Sequence, residues 1–179
     1  MTATGVVMAD AFFVTIGIDR EVFAVPVETV VEILDMRPVF RIPDAPAHLK
    51  GLIDMRGRAV PLIDLRTKLG LPSVAADQNT RIVVLEVPME GRSLALGLVA
   101  DRVFEVIALD ETQIESAPDI GMQWNSAYIR GIGRRQDNFV VLLDLPKLFS
   151  TDDAHLANLR PEASLPAGEG SASSSHQAA

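Results

Sequence analysis

The sequence predicts an all-β fold, mainly strand with short helices: two similar five-stranded β-barrels packed together, derived from an internal duplication. Three observations carry that prediction. Short β-rich runs separated by turn signals fill most of the chain. The segment KGLIDMRGRAVPLIDL (50–65) returns in degenerate form as RGIGRRQDNFVVLLDL (130–145). Finally, two small β units protect their strand edges by closing as barrels packed against each other.

Taken in order, FFVTIGI (12–18) alternates so as to place Phe12, Val14, Ile16 and Ile18 on one strand face. DRE (19–21) turns the chain into VFAVPV (22–27), where Pro26 cannot donate to a ladder and belongs at an edge or a strand end. ETVVEILDM (28–36) reads as one helical turn running into a strand. RPVFRIPDAP (37–46), with three prolines, reads as an extended loop. A hairpin follows over about 50–55 and 58–63, and Gly57 supplies the positive φ of its turn. Asp64 is placed to cap a short helix, LRTKLG, that Gly70 stops. LPSVAADQNT (71–80) is a connector. RIVVLEV (81–87) then starts a second series, and SLALGLVADRVFEVIAL (93–109) reads as strand, bend and strand.

The two series align. Residues 50–65 match 130–145 at an offset of 80, with Gly51/Gly131, Val60/Val140, Leu62/Leu142, Asp64/Asp144 and Leu65/Leu145 identical. AVPVETVVEIL (24–34) matches GLVADRVFEVI (97–107) at an offset of 73, pairing Glu32 with Glu105. FVTIGI matches the shape of VVLEVP at an offset of 70. Three matches in one order imply duplication, with a first unit at about 11–70 and a second at about 81–150. The seam between them is a natural place for a binding site.

Composition narrows the functional classes. The chain has 179 residues and a formal net charge of −8, which argues against a nucleic-acid ligand. Charge is uneven: residues 50–68 carry five basic and two acidic side chains, residues 101–119 one basic and six acidic. Such separation suits polar contact with a protein. There is no cysteine, and two of the three histidines, His155 and His176, fall in a small-residue polar tail. Thiolate chemistry is therefore excluded, and a histidine metal site lacks material. No phosphate-binding loop, dinucleotide fingerprint, GxSxG or HExxH occurs, so the common acid–base and nucleophile kits are missing and no cofactor is expected. No leader peptide or apolar run of membrane-spanning length is visible, so a cytoplasmic place is expected. Residues 1–10 read as a flexible N-terminus and 151–179 as a disordered tail too poor in apolar residues to offset its ordering entropy.

In order along the chain, FFVTIGIDREVFAVPVETVVEIL, IPDAPAHLKGLIDMRGRAVPLIDLRTKLG, VADRVFEVI and YIRGIGRRQDNFVVLLDLPKLF resemble the chemotaxis coupling protein family, CheW. The resemblance implies two intertwined five-stranded SH3-like β-barrels and a non-catalytic adaptor. It implies two partners: the helical cytoplasmic tip of a transmembrane chemoreceptor, held in an apolar groove between the barrels, and the regulatory domain of a chemotaxis histidine kinase, held barrel to barrel. It implies recruitment to membrane receptor arrays without insertion. By position, Val25, Val27, Val30, Ile33, Val99 and Val103 are the groove candidates, with plain core as their alternative place. Glu32, Arg56, Gly57 and Arg58 are the polar-surface candidates. Because Gln136 stands where Arg56 stands, a Glu32–Arg56 pair is expected only once. Trp124, in DIGMQWNSAY (119–128), either tucks into the seam or offers a contact. The alternatives are a small-ligand β module with the seam as its pocket, and a coupler serving a pathway unrelated to motility.

Overall fold

The computed structural model describes residues 10–89, 91–116 and 126–149. Trp124, the 151–179 tail and nearly all of the N-terminal segment lie outside them. Eleven strands are described: β1 (Ala11–Ile18), β2 (Glu21–Pro26), β3 (Val30–Asp35), β4 (Leu49–Met55), β5 (Arg58–Asp64), β6 (Arg81–Met89), β7 (Arg92–Ala100), β8 (Arg102–Leu109), β9 (Ile114–Glu115), β10 (Ile129–Arg135) and β11 (Asn138–Leu143). Two short helices, α1 (Leu65–Lys68) and α2 (Leu145–Leu148), follow β5 and β11. The expected helical turn before β3 is a 3-10 turn over Val27–Thr29, and Pro26 ends β2.

The strands form two mixed sheets, each curled into an SH3-like barrel. One has the order β3-β6-β7-β5-β4, the other β8-β1-β2-β11-β10-β9. They do not follow the halves of the sequence: β1 and β2 pair with strands of the second half, and β6 and β7 with strands of the first. We call the five-stranded sheet the first barrel and the six-stranded sheet the second. The extra strand is β9, only two residues long, against β10. In the first barrel a single bridge, Phe40 to Leu52, takes that place and ties down the proline-rich loop. The expected five strands thus hold for one barrel, while the other gains a sixth because two bridged residues suffice to define a strand.

The repeat recurs in atomic detail. Asp64 caps α1 by accepting from the Arg66 amide at 3.1 Å, and Asp144 caps α2 by accepting from the Lys147 amide at 3.2 Å. The Asp64 amide donates to the His48 carbonyl, and the Asp144 amide to the Tyr128 carbonyl. Gly57 has φ 81° as expected, and the residue before it, Arg56, is also left-handed at 53°, as is its counterpart Gln136 at 52°. One alignment needs correction. Strand register equates Val14 with Val83, because Val14 pairs with Val106 and Val83 with the equivalent Ile33. The offset of β1 to β6 is therefore 69 rather than 70, and a one-residue slip would turn every side chain to the opposite face.

Three apolar clusters follow from that register. Val14, Ile16, Ile18, Phe23 and Val25 from one sheet join Ile63, Val83, Leu85, Val87, Leu96 and Leu98 from the other, with Leu65 and Leu148 from the helices and Phe149 just after α2. This central core lies between the barrels. Phe13, Ala24, Ile107, Leu109, Val140 and Leu142 fill the second barrel, and Ile53, Val60, Leu62, Ile82, Val84 and Val99 the first. Val14, Ile16 and Ile18 share a face as predicted, but Phe12 at the strand's start is exposed. Among the described residues no helix is long and apolar enough to cross a membrane.

Candidate partner-binding surfaces

The seam expected to hold a groove is occupied by the central core, which corrects the place of two groove candidates. Val25 is fully buried there, and Val99 is buried inside the first barrel, so neither offers surface to a partner. Both follow the plain-core alternative: burial of their side chains stabilises the native chain rather than a complex. Val30 and Val103, equivalent in the repeat, are half-buried and pack against the margin of the central core. Val27, in the 3-10 turn before β3, and Ile33 on β3 are exposed, Ile33 to 43%. Ile33 stands opposite Val83 on the same sheet face, so the edge strand β3 carries the central core's apolar surface out to solvent.

The polar candidates sit at the end of the first barrel. β3 and β4 are the two edges of its sheet, and Arg56, at the turn after β4, reaches Glu32 on β3 with an N–O distance of 3.5 Å. The Arg37 guanidinium donates to the Asp54 carbonyl across the same gap at 3.0 Å. Arg56, Gly57 and Arg58 are all exposed. Beside them Pro38, Val39, Phe40, Leu52, Ile53, Asp54, Gly57 and Ala59 line an apolar recess of about 520 Å3. Phe40 is 78% exposed over it. Stability does not account for an exposed ion pair, which is worth ~0–1 kcal/mol.

The pair is not unique, contrary to expectation. Glu105 in the second barrel is bonded to Arg135, one position before Gln136. Glu105 and Glu32 follow equivalent bulges in the edge strands β8 and β3, where the register skips a residue. Each bulge aims its glutamate at the barrel mouth, and the nearest hairpin arginine meets it. In the first barrel that arginine is in the turn; in the second it ends β10. Sequence alignment missed Arg135 because it compares equal positions, whereas a long side chain spans one residue of offset.

At the second mouth a cavity of about 480 Å3 is lined by residues that include Thr15, Arg20, Phe104, Glu105, Arg135 and Phe139. Phe104 and Phe139 are 50% and 57% exposed, and the Arg134 guanidinium lies 5.3 Å over the Phe139 ring. The Arg135 hydrogen bond holds the Glu105 carboxyl below its ordinary range and raises Arg135 in turn. A depressed carboxyl contributes stability that is present above its unfolded pKa, ~4.3, and is lost as pH falls through the folded value. Arg135→Gln should therefore return the Glu105 titration, followed by NMR, to the ordinary carboxylate position. An unchanged titration would mean that the pair does not form in solution.

No cluster of histidine, aspartate and glutamate among the described residues is arranged to hold a metal. The chain matches the family model described as CheW-like domain over residues 13–153. It is 31% identical over 146 residues to chemotaxis protein CheW of Klebsiella aerogenes, covering 82% of this chain and 86% of that relative. It is 29% identical over 147 residues to chemotaxis protein CheW of Treponema pallidum, again covering 82% and 86%. Its fold is similar to that of the scaffolding protein TtCheW from Thermoanaerobacter tengcongensis, with a TM-score of 0.71 and 25% identity, over 86% of this chain and 96% of that one. Carrying that domain over most of its length, with paired barrels like those of its solved neighbour, the chain belongs to the CheW family.

Proposed function

We propose that this chain is a non-catalytic adaptor of a chemotaxis signalling array, joining the cytoplasmic tip of a chemoreceptor to the regulatory domain of a histidine kinase. Family membership supports the scaffold role, and the names of its relatives place that role in chemotaxis. The observation that carries the coupling is the apolar margin of β3, where half-buried Val30 and exposed Ile33 continue the central core towards solvent, with exposed Val27 in the turn just before the strand. An amphipathic receptor helix would bury its apolar stripe there, completing the core that the barrels leave open. Val103 lies at the equivalent core margin on β8, the edge strand of the second barrel. The mouth of the first barrel, with Glu32, Arg56, Gly57 and Arg58, is the polar surface for the kinase domain. The chain then works in the cytoplasm at membrane receptor arrays, held by its partners rather than by insertion.

Titration calorimetry with purified receptor tip and kinase regulatory domain tests the reading. Arg56→Glu places two like charges together at the first mouth. It should weaken kinase-domain binding about tenfold or more. The stability change should stay within ~1 kcal/mol. If the variant is folded and binds both partners as the wild type does, the polar surface lies elsewhere. A small-ligand module would instead show a melting point raised by a metabolite, because a ligand that binds only the native state must stabilise it.

A further inference from the structure

We infer that the connector between the two halves works as a strap: Ser73, bonded to the buried Asp64 carboxylate, is a positioning residue that holds the Pro72 carbonyl on Arg66 and so aims that guanidinium at a crossing between the barrels. The inference stands on geometry alone and makes no use of the adaptor reading.

Among the described residues the chain passes between the sheets at the turn Val27–Thr29, from β2 to β3, and at Asp101, from β7 to β8. Asp101 is held from both sides. Its amide donates to the Gly17 carbonyl at 3.0 Å, and its carboxylate accepts from the Asp19 amide at 2.7 Å, both in the second barrel. From the first barrel the same carboxylate accepts from Arg66 at 2.6 Å. Glu28, the counterpart of Asp101 at the other crossing, is exposed, so the crossings are held differently.

The connector is what aims Arg66. The Arg66 Nε donates to the Pro72 carbonyl at 2.8 Å, and on the next residue the Ser73 hydroxyl donates to Asp64 Oδ2 at 2.8 Å. No other hydrogen bond of residues 72–76 is found among the described residues. The ends of the connector are anchored separately. The Leu71 amide donates to the Arg66 carbonyl, and Asp77 and Thr80 bond each other. Ser73 is therefore the side chain that closes the strap between those anchors. A guanidinium is a rigid planar fork, so fixing Nε also fixes the directions of its two other nitrogens, which face Asp101 and Asp19.

The repeat supplies a comparison. Asp64 and Asp144 make the same helix cap, yet Asp64 keeps 5% of its side chain exposed and Asp144 keeps 23%. Asp64 also takes on bonds that a cap does not need, from the Thr67 hydroxyl within α1 at 3.1 Å and from Ser73. A carboxylate this buried holds its donors firmly, because few waters can replace them.

The test is NMR hydrogen exchange at the Arg66 Nε proton and the Asp101 amide, each relative to the amides of β4 and β5, in the full chain. In Ser73→Ala both should exchange about fivefold or more faster. Ser73→Thr keeps the hydroxyl, and Thr67→Val removes a donor to the same oxygen without touching the strap. Both should stay within about twofold of the wild type. Unchanged exchange at Nε in Ser73→Ala would overturn the positioning role. Faster exchange at Nε with an unchanged Asp101 amide would overturn its reach to the crossing. Equal effects of Thr67→Val and Ser73→Ala would show that the Asp64 carboxylate sets Arg66 without the strap, and the inference would fall.

Discussion

Replacing Gly51 with alanine should be among the most damaging single changes in this protein. Gly51 has φ 143°, a backbone conformation that side chains rarely adopt, and a Cβ there would lie 2.1 Å from the Phe40 carbonyl oxygen. That oxygen belongs to backbone, and it is held: Phe40 and Leu52 exchange two hydrogen bonds, at 2.7 and 2.8 Å. The clash can be relieved only by breaking that bridge and freeing the 37–46 loop from the first barrel. Gly57 offers an internal comparison, since it too has positive φ but nothing lies within 4 Å of its added Cβ. Gly57→Ala should cost only the conformational strain, ~1 kcal/mol. Gly51→Ala adds the steric term, for a total of about 3 kcal/mol or more. For a chain of this size that corresponds to a fall in melting temperature of roughly 6–12 °C. Calorimetry on both variants decides the matter, and equal losses would show that the Phe40 contact is not what requires glycine. Gly131 shares the close approach in the second barrel, where a Cβ would lie 2.9 Å from the Glu115 carbonyl oxygen, but it has no positive φ.

Arg66→Met should destabilise the chain by about 2–3 kcal/mol, because it removes a charge from a nearly dry site while keeping the apolar stem. The Arg66 side chain is 11% exposed and bonds Asp101 at 2.6 Å, with Asp19 at 3.7 Å. Its Nε donates to the Pro72 carbonyl at 2.8 Å. These partners come from different parts of the fold. Asp19 turns between β1 and β2 in the second barrel, Asp101 bends the chain from β7 in the first to β8 in the second, and Arg66 is the second residue of α1. The cluster therefore ties both barrels at one point. Loss of the guanidinium leaves the partly buried Asp101 carboxylate with the Asp19 amide, at 2.7 Å, as its remaining strong partner. The cost stays below that of a fully buried broken pair, ~3–5 kcal/mol, because Asp101 keeps 23% of its side chain in water. Adding Asp101→Asn should recover part of the loss in denaturant unfolding. A single-variant cost under ~1 kcal/mol would mean that water replaces the guanidinium freely. The repeat has no second copy of this tie, since Pro146 stands where Arg66 would be.

Local chemistry was legible in the sequence wherever a residue type has one use. The capping Asp64 and the turn at Arg56-Gly57 were assigned from short-range rules, and the structure uses them so; Gly51, Gly131 and Asp144 were marked only by their identity in the repeat. The duplication and the CheW family were legible for the same reason, because identities at fixed spacing survive without any knowledge of contacts. Alternation also grouped Val14, Ile16 and Ile18 on the face of β1 that enters the central core, although the other face, with Phe13 and Thr15, is buried too.

Local pattern left the rest to tertiary structure, although the family resemblance had already implied that the barrels are intertwined. Alternation tells which face of a strand is apolar but not which sheet receives it, because every strand edge offers the same amide and carbonyl row. The exchange of β1 and β2 for β6 and β7 between the halves is therefore written in no local pattern. The same holds for the offset of 69, since a shift by one leaves composition almost unchanged and only hydrogen-bond register distinguishes the faces. Val25 and Val99 looked like Val27 and Ile33 in sequence, and burial depends on what packs above them, which is the opposite sheet. Arg135 met Glu105 because side-chain reach, not alignment, selects an ion-pair partner. The sequence by itself determined the units and their turns; the packing of one unit through the other determined which of their surfaces remain open to a partner.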